Sequence, residues 1–178
     1  LDGENSRLME LIVKESQRLN RVLKDFLLYA KIDRPLYNKV ELCHVIGDVI
    51  QLLFHHAQFN NTARVSYDSP VSICYVTGDE DMIKQLLYNI AINACEAFDG
   101  KPGEVRFILH PAQYTDQVIL EIRDNGPGIP EEHQKKIFQP FFSTKKQGTG
   151  LGLAIVHRLA TALQLFLSVD SAAGRGTT

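Results

Sequence analysis

The chain has little that would set it apart from an ordinary globular protein. Its three cysteines, Cys43, Cys74 and Cys95, are odd in number and show no C-x-x-C spacing. That argues against a disulfide framework and a cysteine zinc site, and for reduced thiols in a cytosol. No apolar run approaches the ~20 residues that span a bilayer, and no signal peptide opens the sequence. Neither charge sign dominates: the formal net charge is −2. There is thus no basic footprint for nucleic acid, and no nucleic-acid partner is expected. His55 and His56 are neighbours, but no Cys or His stands at metal-ligand spacing around them. Internal repeats and low-complexity tracts are absent. So are the P-loop pattern G-x-x-x-x-G-K-[ST] and the dinucleotide fingerprint.

What remains is a chain of 178 residues with 44% hydrophobic and 22% charged content. That is enough for one domain, or a small domain plus an extension. It opens on Leu1, not methionine, and is expected to be a fragment. Residues 5–32 read as one helix. Leu8, Ile12, Leu19, Val22, Phe26 and Tyr29 follow heptad spacing with Glu15 as the polar break, and Leu23, Leu27 and Ala30 widen the stripe. So much apolar surface on one helix calls for a bundle partner, within the chain or between chains. Pro35 ends the helix, and Asp33-Arg34-Pro35 is the expected linker.

Beyond it, helices and strands alternate. The pattern predicts helices at Leu42–Gln58, Asp79–Phe98, Glu131–Ile137 and Thr149–Leu163. It predicts strands at Ala63–Tyr67, Ser72–Val76, Glu104–His110, Gln117–Arg123 and Leu165–Val169. The expected class is α+β, with helices on one face of a largely antiparallel sheet.

Four stretches carry candidate chemistry. In QGTGLGLAIVHRLA, three glycines (Gly148, Gly150, Gly152) are interleaved with Thr149 and Leu151 at the door of a helix. Glycine costs a helix about 1 kcal/mol against alanine. Here it leaves backbone N–H groups open to an anion such as phosphate, and Lys145 and Lys146 stand just upstream. The plain alternative is a flexible loop feeding an ordinary helix. On the Asp79–Phe98 helix, Met82, Ile83, Leu86, Leu87, Ile90, Ala94 and Phe98 form the apolar stripe. Gln85, Asn89, Asn93 and Glu96 share another face, either a solvated surface or a half-buried pocket wall. The asparagine oxygens suit a hard cation such as Mg²⁺. In VILEIRDNGPGIP, Asp124 ends a strand. The segment is a turn by its composition, or an acceptor for an amino group with Gly126 and Gly128 beside it. In IFQPFFSTKK, the residues Phe138, Phe141 and Phe142 around Pro140 predict a packed cluster bracing the loop that follows.

In this order, the stretches resemble the ATP-binding catalytic domain of bacterial two-component sensor histidine kinases. That domain belongs to the superfamily of gyrase-type topoisomerases and heat-shock chaperone ATPases. NIAINACEAF looks like the N box, DNGPGIP like the G1 box, FQPFF like the F box, GTGLGL like the G2 box, and GRGT at Gly174–Thr177 like the last glycine box. The pattern is most similar to the nitrogen-regulation type. The resemblance implies a two-layer α/β sandwich at residues 35–178, its last strand missing. Residues 1–34 would be the truncated second helix of a dimerisation and phosphotransfer hairpin. It implies ATP and Mg²⁺ as cofactors, with Asn93 the main metal ligand and Asn89 assisting. Asp124 would hold the adenine amine. Gly126 and Gly128 would give room beside the nucleotide. Lys145, Lys146, Gly148, Thr149, Gly150, Leu151 and Gly152 would form the lid and the helix terminus facing the phosphates. Partners would be a response-regulator receiver domain and a second copy through the hairpin. The fragment would be cytoplasmic, whether or not the parent carries an inner-membrane anchor.

Three departures stand out. Relatives often carry a basic residue where this chain has Glu96. Asn89 replaces the general-base glutamate of hydrolytic relatives, and an amide cannot take a proton from water. None of the six histidines has the acid and proline context of a phosphorylated acceptor, so the acceptor is expected outside this fragment, which should not phosphorylate itself. A hydrolytic ATPase and a non-catalytic nucleotide-binding module are the alternative readings.

Overall fold

The computed structural model describes residues 2–32, 34–55, 63–111, 117–145 and 148–178. It opens with α1, Asp2–Ala30. At 1.5 Å per residue this is a rod of roughly 44 Å. Its heptad seam lies open along most of its length: Leu8, Ile12, Leu19, Leu23 and Leu27 are all more than half exposed. Only the C-terminal end docks, through Leu28, Tyr29 and the following Ile32. No described helix is long and apolar enough to cross a membrane.

After the linker come β1 (Asn38–Glu41), α2 (Leu42–Phe54), β2 (Ala63–Asp68), β3 (Tyr75–Gly78) and α3 (Glu80–Ala97). Then follow β4 (Gly103–Pro111), β5 (Val118–Asp124), α4 (Glu131–Gln134) and α5 (Gly152–Ala162). The main sheet has the order β2-β4-β5. β2 and β4 run parallel and β4 and β5 antiparallel. The crossover between the parallel strands includes α3, as a parallel pair requires. β1 and β3 form a separate antiparallel ribbon. Along the central strand β4, Val105, Phe107 and Leu109 are fully buried. Arg106 between them and His110 after them are exposed, and Ile108 is half-buried. This period-two alternation leaves one sheet face for the helices and one for solvent. On the open side, Glu104 pairs with Arg106 at 3.1 Å, and Glu121 with Arg123. The core joins that sheet face to α2, α3 and α5 through Val45, Ile46, Val49, Leu53, Leu86, Leu87, Ala91, Ile155 and Leu159. The expected α+β arrangement, with helices on one side, is the one formed.

Two carboxylates fix the helix starts. Asp79 caps α3 by accepting from Met82 N at 3.1 Å, and its other oxygen accepts from Leu36 N at 2.9 Å. Glu41 caps α2: Oε2 accepts from His44 N at 2.7 Å, and Oε1 accepts from both Cys43 N and Cys74 N at 3.1 Å. These bonds, first that from Cys74, hold the Glu41 carboxyl below its ordinary value of 4.5. A depressed acid contributes stability above its unfolded pKa and loses it as pH falls through the folded one. Glu41→Ala should therefore cost about 1–2 kcal/mol at pH 7, the scale of a lost N-cap. The difference from wild type in urea unfolding should shrink once the pH falls below the ordinary glutamate range. A pH-independent difference would show that the charge on Glu41 does not matter.

Several sequence boundaries shift. The segment Leu165–Val169 is not a strand, despite its apolar content. A strand needs a ladder, and here none of the described strands pairs with it, so Phe166 is left 94% exposed. The chain end pairs instead through Asp170 with Thr178 and Thr177 with Asp124. The strand predicted at Ser72–Val76 is Tyr75–Gly78, in register with β1. α4 stops at Gln134, short of Ile137. α5 starts at Gly152, not Thr149, leaving two of the three glycines outside the helix. The helix predicted to Gln58 is described to Phe54, and residues 56–62 lie outside the described segments.

Candidate functional site

The polar face of α3 is half-buried and internally bonded. Asn93 donates its amide N–H back to Asn89 O at 2.9 Å. That bond fixes the Asn93 side chain. Gln85 Nε2 donates to Asn89 Oδ1 at 3.3 Å. Asn89 Nδ2 is buried and finds no partner among the described residues. A buried N–H without an acceptor costs about 1–3 kcal/mol. Lys145 reaches the same face from the loop after the phenylalanines. Its ammonium lies 2.7 Å from Glu96 Oε2, 3.4 Å from Asn93 O and 3.5 Å from Asn93 Oδ1.

α5 enters at this point. A Cβ on Gly152 would sit 3.0 Å from Asn93 Nδ2, so the helix terminus rests directly on that amide. No side chain among the described residues caps α5. Its first N–H groups and the positive end of its dipole are thus directed to the neighbourhood of Asn93. The outer glycines have other roles. Gly150 has φ +69, and a Cβ there would lie 2.5 Å from the Phe141 carbonyl carbon. A Cβ on Gly148 would meet Ser143 Oγ at 2.3 Å.

Asp124 closes β5. Its N–H donates to Thr177 O at 2.9 Å, and its Oδ1 accepts from Gly126 N at 2.8 Å. Burial pushes the carboxyl above its ordinary value, opposed by the bonds from Gly126 and Thr177. Gly126 lies against the Phe98 ring at the end of α3. Beneath lies Cys95, whose thiol burial pushes up to about 11, with Glu96 and Asp124 adding to the rise. It stays protonated at neutral pH and serves as packing, not as a nucleophile.

An uncapped helix terminus, an ammonium, a fixed amide oxygen and a desolvated carboxylate thus border one region around the polar face and C-terminal end of α3. Residues 78–178, which contain all four, match the model of the histidine kinase-, DNA gyrase B- and HSP90-like ATPases. The chain belongs to this family. Within it, the domain is homologous to those of sensor histidine kinases. It is 31% identical to the sensor histidine kinase ZraS of Klebsiella oxytoca over 98% of this chain and 37% of that protein. The chain therefore spans little more than a third of that relative. Full-length ShkA in complex with AMPPNP superposes with a TM-score of 0.77 and 25% identity, covering 96% of this chain and 37% of that one. Histidine kinase ThkA in complex with the response regulator TrrA superposes with a TM-score of 0.75 and 27% identity, covering 96% and 48%.

The ATPase-family reading fits the residues present. Asn93 Oδ1 is a hard oxygen donor held in place. The uncapped α5 terminus seeks acceptors, which phosphate oxygens provide. Among the expected site residues, Asn93, Lys145 and Gly152 meet directly, and Thr149 stands at the same helix entry. Asn89 is nearby, its amide oxygen met by Gln85 at 3.3 Å, while the Asn93 oxygen is met by the Lys145 ammonium at 3.5 Å. Leu151 is fully buried, so its side chain belongs to the core and only its backbone faces the entry. Lys146 lies outside the described residues. Gly128 gives no room to a ligand: with φ +70, its Cβ position falls 2.0 Å from Ala172 O, so its bareness seats the terminal glycine turn. Gly126 likewise packs on the Asp124 carboxylate and Phe98.

The three phenylalanines form no common cluster. Phe138 packs on His157 at 5.4 Å and Phe142 on His133 at 5.6 Å, while Phe141 is 63% exposed at φ 66. Two contacts had no sequence signal. Thr149 Oγ1 donates to Asp25 Oδ2 at 2.8 Å, and Arg158 lies 4.7 Å over the Tyr29 ring while donating to Tyr29 O. The first ties α1 to the entry of α5 and the second to its middle, across more than a hundred residues of sequence.

Proposed function

We propose that this chain is the catalytic core of a two-component sensor histidine kinase. Residues 35–178 bind ATP with Mg²⁺, and residues 1–34 are the second helix of a dimerisation and phosphotransfer hairpin. The phosphoryl acceptor is a histidine outside this chain, and the final acceptor is an aspartate of a response-regulator receiver domain. Two features of relatives support this: the AMPPNP bound by ShkA and the response regulator bound by ThkA. The open heptad seam of α1 supports a homodimeric bundle in the intact protein. A domain that draws on ATP works on the cytoplasmic side.

The observation that carries the reading is the meeting of Asn93, Lys145 and the uncapped α5 terminus at one point. Bound ATP would supply the phosphoryl group and Mg²⁺ the charge neutralisation of its oxygens. Asn93 Oδ1 would hold the metal, with Asn89 behind it. Asp124 accepts from the adenine amine. The α5 N–H groups and Lys145 face the phosphates. Catalysis of this type is positioning plus charge neutralisation. Asn89 offers no base for water, so the domain holds ATP until an acceptor arrives.

Calorimetric titration with a non-hydrolysable ATP analogue, with and without Mg²⁺, tests the site. The expected result is binding that requires the metal. Equal binding in EDTA would remove Asn93 from its role, and no binding by the folded chain would remove the nucleotide.

A further inference from the structure

We propose that Glu96 is a positioning residue that holds the Lys145 ammonium against Asn93, so that the lid loop supplies the positive charge α3 lacks at that position. The inference rests on the nucleotide reading above. Position 96 lies one turn beyond Asn93 on the same face of α3, where side chains three apart are neighbours. A lone carboxylate there would repel a triphosphate. It is not alone. Lys145, 49 residues further along the chain, places its Nζ 2.7 Å from Glu96 Oε2 and within 3.4–3.5 Å of both oxygens of Asn93. The three N–H donors of an ammonium match these three acceptors.

The pair is half-buried, the side chains being 34% and 27% exposed, so salt screens it less than an open surface pair. A lysine stem also suits this role, because its four flexible carbons let the ammonium pivot while one donor stays tied. In the nucleotide-free chain the ammonium rests on the oxygen of Asn93. When the site is filled, Lys145 yields that oxygen, remains tethered by Glu96 and turns its other N–H bonds to phosphate oxygens. Glu96 touches neither metal nor nucleotide in this scheme and acts only through Lys145.

The opposite view is that Glu96 is a carboxylate that merely repels the nucleotide. The two views differ in sign. The test is a double-mutant cycle read as calorimetric Kd for a non-hydrolysable ATP analogue with Mg²⁺, with circular dichroism confirming each fold. Glu96→Gln should weaken binding about 3–10-fold while Lys145 is present, the range of a short-range coupling. In a Lys145→Met background the same change should leave binding equal or tighter. Lys145→Glu should lose about tenfold or more, and adding Glu96→Lys should restore most of it, because the swapped pair again sets a cation beside Asn93. Tighter binding by Glu96→Gln alone, independent effects in the cycle, or no rescue by the swap would each overturn the proposal. Failure of the folded wild-type chain to bind would instead sink the nucleotide reading, and this inference with it.

Discussion

Asn93→Ala should weaken Mg²⁺-dependent binding of a non-hydrolysable ATP analogue by about 100-fold or more. Removing an outer-shell partner of a metal ligand typically costs 10–100-fold, and a direct ligand should cost at least as much. Asn93 spends its N–H on Asn89 O and meets the movable Lys145 ammonium with its oxygen at 3.5 Å, whereas Asn89 gives its oxygen to Gln85 at 3.3 Å. The substitution should not harm the fold. Asparagine is a poorer helix former than alanine by up to about 0.7 kcal/mol, so α3 gains propensity as it loses the side chain. A variant with an unchanged or raised melting temperature that no longer responds to Mg²⁺ is the expected outcome. Wild-type affinity in the presence of Mg²⁺ would remove Asn93 as the metal ligand and leave Asn89 to be tested.

Asp124→Asn should do two opposite things. Nucleotide affinity should fall by roughly 1.5–3 kcal/mol, the scale of a hydrogen bond to a charged group. The nucleotide-free fold should become more stable at pH 7. Burial holds the folded pKa of Asp124 above its ordinary value. The unfolded chain therefore ionises first as pH rises, and the native state bears a cost from there upward. An amide removes that cost and still accepts from Gly126 N, the bond that now measures 2.8 Å. The stability gain in urea should be full at neutral pH and vanish at pH values below the ordinary aspartate range, where the wild-type carboxyl is protonated in both states. Unchanged affinity would refute the adenine contact. Lower stability at pH 7 would show that the charge strengthens its hydrogen bonds by more than burial costs it. A desolvated charge kept at the expense of stability is what a binding site, but not a core, would retain.

Local chemistry was legible because it acts over a few residues. Asp79 before an apolar-periodic run predicts an N-cap, and it is one. Glu104–His110 and Gln117–Arg123 alternate with period two, and they pair. The 4-4-3 spacing of Gln85, Asn89, Asn93 and Glu96 predicts one face, and the hydrogen bonds among the three amides bear that out. Where partners lay far along the chain, local signals failed. Leu165–Val169 has strand composition but no ladder among the described strands. Phe138, Phe141 and Phe142 suggest a cluster, but the left-handed turn at Phe141 separates them and sends two to different histidines. Gly128 serves the carbonyl of Ala172, which no local rule places there.

The sequence by itself determined the α+β class, most of the helices and strands, though not β1, and the apolar and polar faces of α3. These depend on periodicity and short-range capping, whereas the ordered boxes rest on resemblance to the ATPase family. Only the tertiary structure decided that Lys145 meets Glu96 and Asn93, and that Asp25 meets Thr149. Those outcomes depend on which distant surfaces close upon each other, and that is settled by burying the common core of α2, α3, α5 and the sheet.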